Sequence, residues 1–150
     1  LDKYFTKYYG LLQWHEQIVR EVGNTGMYTS PLGRSYKWDL MKYGDFKVPV
    51  TQVKNYPVQG LGADIVSIAR CSLWRRWKKA DIKGVLVNTV HDSIVCDVEE
   101  SEIGKVVVLM NSVFKDLPSN INRIFDVGFD LETKVEVLVG KDMYNLFEYK

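Results

Sequence analysis

Thiols and imidazoles are scarce in this chain. Its 150 residues include two cysteines, Cys71 and Cys96, and two histidines, His15 and His91. The cysteines stand far apart, so no paired-thiol zinc motif exists and a reducing compartment is the simpler setting. Both thiols are expected to be buried or half-buried, as free cysteines usually are. No apolar run approaches the ~20 residues that a membrane-crossing helix needs. No secretory leader is visible, because Leu1-Asp2-Lys3-Tyr4-Phe5 is already amphipathic. An initiating Met is missing as well, from which a fragment or processed piece is expected. Internal repeats and low-complexity tracts are also absent.

What remains is the composition of a folded protein. Apolar residues make up 46% and charged residues 26% of the chain, enough for one core or two parts sharing one. The net charge of +1 hides a division: residues 1–96 carry 14 basic and 8 acidic side chains, residues 97–150 carry 6 and 11. A nucleic-acid partner would touch the first part. Mutual attraction of the two halves accounts for the same asymmetry.

Phe5, Tyr8, Leu12, His15, Val19 and Val22 recur at helical spacing, which predicts a helix of about 20 residues from Asp2. Gly10 is its expected weak point, and Gly23-Asn24-Thr25-Gly26 its end. Met27-Tyr28-Thr29 and Tyr36-Lys37-Trp38 read as strands around a Pro31-Leu32-Gly33-Arg34 turn. Residues 39–50 form a polar connector and the best internal boundary. A second helix is expected from Asn55, with Asn55 as cap and Pro57 in its first turn. Val58, Leu61, Ile65, Ile68 or Ala69, and Leu73 give it one apolar face, and Val66 and Trp74 extend this, so it should be mostly buried. Its far end, Arg75-Arg76-Trp77-Lys78-Lys79, is basic and reads as a solvated terminus. Gly84–Val90 and Ile94–Val98 pair around a turn. Ser101 is the expected cap of a third helix, with Ile103, Val106 or Val107, Met110 and Phe114 inward and Pro118 as its stop. Val127–Leu131 and Val135–Val139 read as strands, with Gly140-Lys141 turning. Helices and hairpins in this order make an α+β fold, not an alternating parallel sheet.

Two stretches carry chemistry. In VNTVHDSIVCDV, His91 and Asp92 occupy the tip of the expected hairpin. A carboxylate on a rigid tip can hold Mg²⁺ without bending the sheet. As an isolated dipeptide it needs no function at all, since Asp tolerates turn geometry. In Asn55-Tyr56-Pro57-Val58-Gln59-Gly60-Leu61-Gly62-Ala63-Asp64, two glycines weaken an early helix and, with the small Ala63, leave its backbone bare, so something must approach that backbone closely. The Asn55 and Gln59 amides could donate to purine N3 and pyrimidine O2, minor-groove acceptors common to all base pairs. Close helix packing with a surface Gln is the alternative. His15 has no partner ligand at suitable spacing and reads as a packed or surface histidine. Tyr4, Phe5, Tyr8, Tyr9 and Trp14 read as core.

Taken together in order, these stretches resemble the carboxy-terminal part of the family A DNA polymerases. NYPVQGLGADIVSIAR is similar to that family's Asn-x-Pro-x-Gln-Gly-x-x-Ala-Asp segment, and VNTVHDSIVCDV to its Val-His-Asp hairpin. Tyr4-Phe5-Thr6-Lys7-Tyr8-Tyr9-Gly10 resembles Tyr-Phe-x-x-Tyr-Pro-Gly, with Tyr9 in place of Pro. Gly26-Met27-Tyr28-Thr29, Leu32-Gly33-Arg34 and the closing Val135–Tyr144 also have counterparts.

The resemblance implies a palm-type antiparallel sheet with a catalytic β-hairpin and long helices, plus part of the fingers. Residues 1–45 would be fingers and 46–150 palm. Asp92 would be a catalytic, metal-binding aspartate, and His91 would lie near the primer terminus. Gln59, Asn55, Arg34 and Lys54 would be the DNA-binding residues. Primer–template DNA, deoxynucleoside triphosphates and a two-Mg²⁺ site would be the partners and cofactor. Ser93 stands where the family commonly has Glu, and Thr51 where it often has Arg. The second catalytic aspartate and the nucleotide-binding Lys, Arg and Tyr would lie upstream of Leu1, so this chain alone would be inactive and would need upstream segments or a partner chain. Cytoplasm of a bacterial or phage-infected cell, or an organelle, would be its location. Two other readings carry fewer of these residues: a non-catalytic nucleic-acid-binding module, and a stand-alone metal nuclease lacking a second carboxylate near the turn.

Overall fold

A computed structural model describes residues 2–42 and 44–149. Leu1 and Tyr43, which fall in the expected opening and connector, lie outside the described residues. The chain is α+β, and it divides into two compact units, residues 1–64 and 65–150. No helix among the described residues is long and apolar enough to cross a membrane.

The first unit begins with α1 (Asp2–Lys7) and α2 (Tyr9–Thr25). The expected single helix is thus broken at Tyr8, not at Gly10, which lies inside α2 with open space around it. Helix α2 ends within the expected Gly23–Gly26 stretch, where Gly26 turns left-handed (φ 70°) and donates its N–H to the Val22 carbonyl at 2.8 Å. Strands β1 (Met27–Thr29) and β2 (Ser35–Lys37) pair antiparallel, with Tyr28 opposite Tyr36. The connector is not featureless: β3 (Met41–Lys42) pairs with β4 (Asp45–Phe46). Ile18 and Val22 of α2 and Val53 of α3 are fully buried together, with Trp14, Val19, Tyr28, Trp38, Leu40 and Val48 packed around them.

Helix α3 (Val50–Lys79) starts five residues before the sequence predicts. Asn55 is therefore an interior residue rather than a cap, and Pro57 sits well inside the helix. Nor is α3 mostly buried: Val58 and Trp74 are exposed. The residues that do bury in its second half, Ala69, Leu73 and Trp77, recur every four positions and make one stripe.

In the second unit, β5 (Gly84–Val90) and β6 (Ser93–Val98) form the predicted hairpin. A 3-10 turn at Glu100–Glu102 leads into α4 (Ile103–Phe125), so Ser101 is part of that turn and not a cap. Glu102 is buried but answered by Lys105 Nζ at 2.8 Å. Val106, Val113, Leu117 and Ile121 form the buried face of α4. Arg76 ties α3 to this helix through Ser112 Oγ at 2.8 Å and the Asp116 carboxylate at 2.7 Å.

Pro118 does not stop α4. A proline inside a helix leaves the carbonyl four residues earlier without its donor. Here that carbonyl, on Phe114, accepts from the Thr133 hydroxyl at 2.8 Å. The Asn122 amide similarly exchanges hydrogen bonds with the backbone of Phe129, at 2.7 and 2.5 Å. These bonds hold residues 126–137 along α4 as irregular chain. Val127–Leu131 is therefore not a strand, having no strand partner among the described residues. Only Leu138–Val139 (β7) of the last predicted run pairs, with β8 (Phe147–Glu148). Of the thiols, Cys71 is exposed, contrary to expectation, and Cys96 is half-buried. Burial pushes the Cys96 thiol up to about 11.

Thr133→Val should cost about 1–2 kcal/mol in urea unfolding, because it strands a part-buried carbonyl. Restoring the backbone donor with Pro118→Ala should shrink that cost; an equal cost in both backgrounds would show that the hydroxyl does not serve the carbonyl.

Candidate functional site

The first turns of α3 have two different sides. At ~100° per residue, Asn55, Gln59 and Gly62 fall on one side, and Val53, Pro57, Gly60 and Asp64 on the other. Burial follows the same division. Val53 and Pro57 are buried and Gly60 and Asp64 half-buried, whereas Asn55, Gln59 and Gly62 are exposed. Asn55 and Gln59 are four residues apart, so their amides lie one above the other along a solvent-facing strip. Thr51 extends that strip by one more turn and is also exposed.

The two glycines answer different demands. A Cβ on Gly60 would run into the Tyr36 hydroxyl and come within 3.0 Å of the Tyr36 ring and 3.2 Å of Arg34 Cδ. The close neighbour that the sequence called for is therefore the β1–β2 hairpin. A Cβ on Gly62 would meet nothing within 4 Å beyond the helix's own backbone, and the bare backbone there adjoins the amide strip.

Arg34 follows the turn at Gly33 and extends beside Tyr36 to Asp64. Its Nε lies 3.1 Å from both Asp64 oxygens, and its Nη2 also donates to Oδ1. Lys54 is half-buried and lines a cleft between α2 and α3 with His15, Glu16 and Arg20. It thus lies off the Asn55–Gln59 strip. Burial, and secondarily the Lys54 charge, hold His15 below the usual imidazole range. His15 packs against Phe5 and Trp14, as a histidine in a structural role would.

Tyr36 and Asp64 were not singled out in the sequence as site residues. A weak signal was there: Tyr28, Tyr36 and Trp38 are aromatic at positions sharing one face of the β1–β2 pair. Their rings stack in succession, Tyr28 on Tyr36 at 6.4 Å and Tyr36 on Trp38 at 6.0 Å, and Trp38 stacks on Tyr56 of α3 at 6.5 Å. The Tyr36 hydroxyl is buried without a hydrogen-bond partner among the described residues. Burial also raises its pKa above the ordinary phenol value.

The second unit carries the acidic hairpin. Trp77 Nε1 donates to the Gly84 carbonyl at 3.2 Å, and Arg70 Nη1 reaches Thr89 Oγ1 at 3.2 Å, so α3 holds β5 near both ends. Gly84 has φ 151°, and a Cβ there would lie 2.5 Å from the Asp97 carbonyl. The pairing slips between Leu86 and Asn88, a bulge that twists the strand before its tip. The turn is two residues long, with Val90 opposite Ser93. His91 takes a left-handed φ of 53°, which costs a residue with a Cβ and occurs where a turn is over-determined. The Ser93 hydroxyl closes the turn by donating to the Val90 carbonyl at 2.9 Å.

His91 and Asp92 are thereby brought together and exposed. No hydrogen bond or ion pair among the described residues occupies the Asp92 carboxylate. An exposed oxygen donor on a braced turn suits a hard cation. It is a single ligand, however, and no group of three metal-binding side chains exists among the described residues. Asn55, Gln59, Arg34 and Lys54 belong to the first compact unit, and His91 and Asp92 to the second. The basic end of α3 is partly engaged: Arg76 binds α4, and Lys78 Nζ lies 4.7 Å over the Trp74 ring.

Comparisons bear on this arrangement. The family model of DNA polymerase family A matches residues 1–145. DNA polymerase I of Lactococcus lactis subsp. lactis (strain IL1403) is 30% identical over 147 residues, covering 96% of this chain and 16% of that protein. DNA polymerase I of Aquifex aeolicus (strain VF5) is 25% identical over 133 residues, 83% of this chain and 22% of that protein. The chain thus spans about a fifth of the length of these relatives. Among solved structures, the POL domain of Pol1 from M. smegmatis, in complex with DNA primer-template and dNTP, shares the fold. Its TM-score is 0.67 at 23% identity, over 77% of this chain and 21% of that one.

The contrast between the glycines can be measured. Gly62→Ala should stabilise the chain by up to ~1 kcal/mol through helix propensity alone. Gly60→Ala should destabilise it despite the same propensity gain, because its methyl has no room beside Tyr36. Equal shifts in the urea midpoint for both variants would remove the close contact.

Proposed function

The chain belongs to DNA polymerase family A, and from that premise we propose that it is the carboxy-terminal fingers-and-palm portion of a DNA-templated DNA polymerase. Residues 1–45 are read as fingers and 46–150 as palm, in a cytoplasmic enzyme of a bacterial or phage-infected cell. The observation that carries this reading is the exposed Asn55–Gln59 strip, with its open backbone at Gly62, on a chain that also presents an unengaged Asp92 on a braced turn.

In this reading, Asn55 and Gln59 donate to minor-groove acceptors of the primer–template duplex. These acceptors occur on every base pair, so the contact checks duplex geometry without reading sequence. Gly62 leaves room for a sugar–phosphate ridge close to the helix. Arg34 and Lys54 add positive charge for the DNA backbone. Asp92 supplies one carboxylate oxygen for Mg²⁺, and His91, held in its strained turn, lies beside the primer terminus. Two Mg²⁺ ions bound with further carboxylates would activate the primer 3′-hydroxyl and neutralise the departing pyrophosphate. Ser93 brings no charge to such a site, and its hydroxyl serves the turn. The remaining ligands and the residues that grip the incoming deoxynucleoside triphosphate come from upstream segments or a partner chain.

One observation favours a second reading. The turn carries a single carboxylate, so the chain could act as a nucleic-acid-binding module of a larger assembly. Supplying the upstream polymerase segments in trans separates the two, because only the first reading expects primer extension to appear.

The chain by itself should not extend a primer with Mg²⁺ and all four deoxynucleotides. Template-dependent extension by the purified chain, free of other polymerases, would mean that its own residues complete the site.

In the complete polymerase, Asp92→Asn keeps the side-chain shape but removes the charge that binds a hard dication. Single-turnover incorporation should fall on the order of 100-fold or more, as when one charge-stabilising group is lost from an active site. Duplex affinity, spread over many phosphate contacts, should change far less. A near-parental rate would reduce the hairpin to a simple turn.

A further inference from the structure

We propose that Tyr36 is a positioning residue for duplex binding: its side chain, with the hydroxyl seated in the notch at Gly60, sets the rotation of α3 that presents Asn55 and Gln59. This inference rests on the minor-groove reading of those two amides.

The geometry is specific to these residues. Gly60 follows Gln59 directly and faces ~100° away from it around the helix. Whatever fixes Gly60 against the hairpin therefore fixes the direction of the Gln59 side chain. The Tyr36 hydroxyl occupies the space that a Cβ on Gly60 would take, and the ring carbon that bears it lies 3.0 Å from that position. The ring is held there from both sides, by Tyr28 at 6.4 Å with an interplanar angle of 27° and by Trp38 at 6.0 Å with 18°. Trp38 in turn stacks on Tyr56, which follows Asn55 directly. Each amide thus precedes a residue seated on the same aromatic row. Below the row, Asp64 is tied to Arg34, two residues before Tyr36.

The hydroxyl of Tyr36 adds a second observation. It is buried and finds no hydrogen-bond partner among the described residues. An unpaired buried hydroxyl is unfavourable, so packing stability alone would be better served by phenylalanine. That hydroxyl is the atom that fills the notch at Gly60. Side-chain orientation in a sheet and in a helix is set by neighbours of this kind, and small misplacements of a binding group carry large losses.

The test is a double-mutant cycle in the complete polymerase, read as affinity for a primer–template duplex. Gln59→Ala should weaken binding about five-fold, the loss of one net hydrogen bond. Tyr36→Ala should weaken it by a similar factor alone and by less than two-fold in the Gln59→Ala background. Its dependence on salt should match the parent's, because no phosphate contact is lost. Tyr36→Phe, which empties the notch but keeps the stacked ring, should weaken binding by less than Tyr36→Ala does, and again only where Gln59 is present. If Tyr36→Ala does not fold, Gly60→Ala replaces it in the cycle with the same expectations.

Equal losses for Tyr36→Ala in both Gln59 backgrounds would overturn the inference while leaving the minor-groove reading intact. So would an unchanged affinity in Tyr36→Ala. If Gln59→Ala itself binds as the parent does, the minor-groove reading fails and this inference falls with it.

Discussion

Two surfaces compete for the first turns of α3, and the missing side chain at Gly60 is what lets the helix serve both. One side must lie against the β1–β2 hairpin closely enough to close a core around Ile18, Val22 and Val53. The other is open, and Asn55, Gln59 and Gly62 are exposed there. A helix carrying a larger residue at Gly60 would have to roll or retreat, and either movement would turn the amide strip. Glycine in a helix interior costs about 1 kcal/mol relative to alanine. The close fit to Tyr36 and the Arg34–Asp64 pair offset that cost.

The same helix brings order to the second unit by other means. Its far half buries Ala69, Leu73 and Trp77 and sends polar atoms to both ends of β5, at Gly84 and Thr89. A two-stranded hairpin is marginal in water on its own. Anchoring it at base and near the tip makes the turn a defined object, and a defined turn can hold His91 at a positive φ. Asp92 is then presented by backbone geometry and needs no side-chain partner. That separation suits a metal ligand, since a carboxylate engaged in an ion pair would have to give it up before binding a cation.

Prolines show how far a local rule reaches. Pro57 and Pro118 both lie within helices. At Pro118 the freed carbonyl is satisfied by Thr133, 19 residues away. The penalty against an interior proline is mostly an unpaired carbonyl and a steric clash, so a distant hydroxyl changes the outcome. Once residues 126–137 are committed to satisfying α4, they are lost to the sheet, which is why the alternating run at Val127–Leu131 does not become a strand.

The sequence by itself determined the α+β class, the β1–β2 and β5–β6 hairpins with their turns, and the place of His91 and Asp92 at a tip. It also determined that something must approach the glycine-bearing part of α3, and through its ordered motifs the polymerase family. All of these are encoded within a few residues, by alternation, turn chemistry or side-chain size. Tertiary structure alone decided that α3 begins at Val50, that Trp74 and Val58 face outward, and that α4 passes through Pro118. It also decided that Arg34 meets Asp64, 30 positions along the chain, and that Tyr36 is the neighbour Gly60 makes room for. Local sequence records what each segment tolerates, whereas partners for a carbonyl, a guanidinium or a bare Cα are chosen by which segments fold against one another.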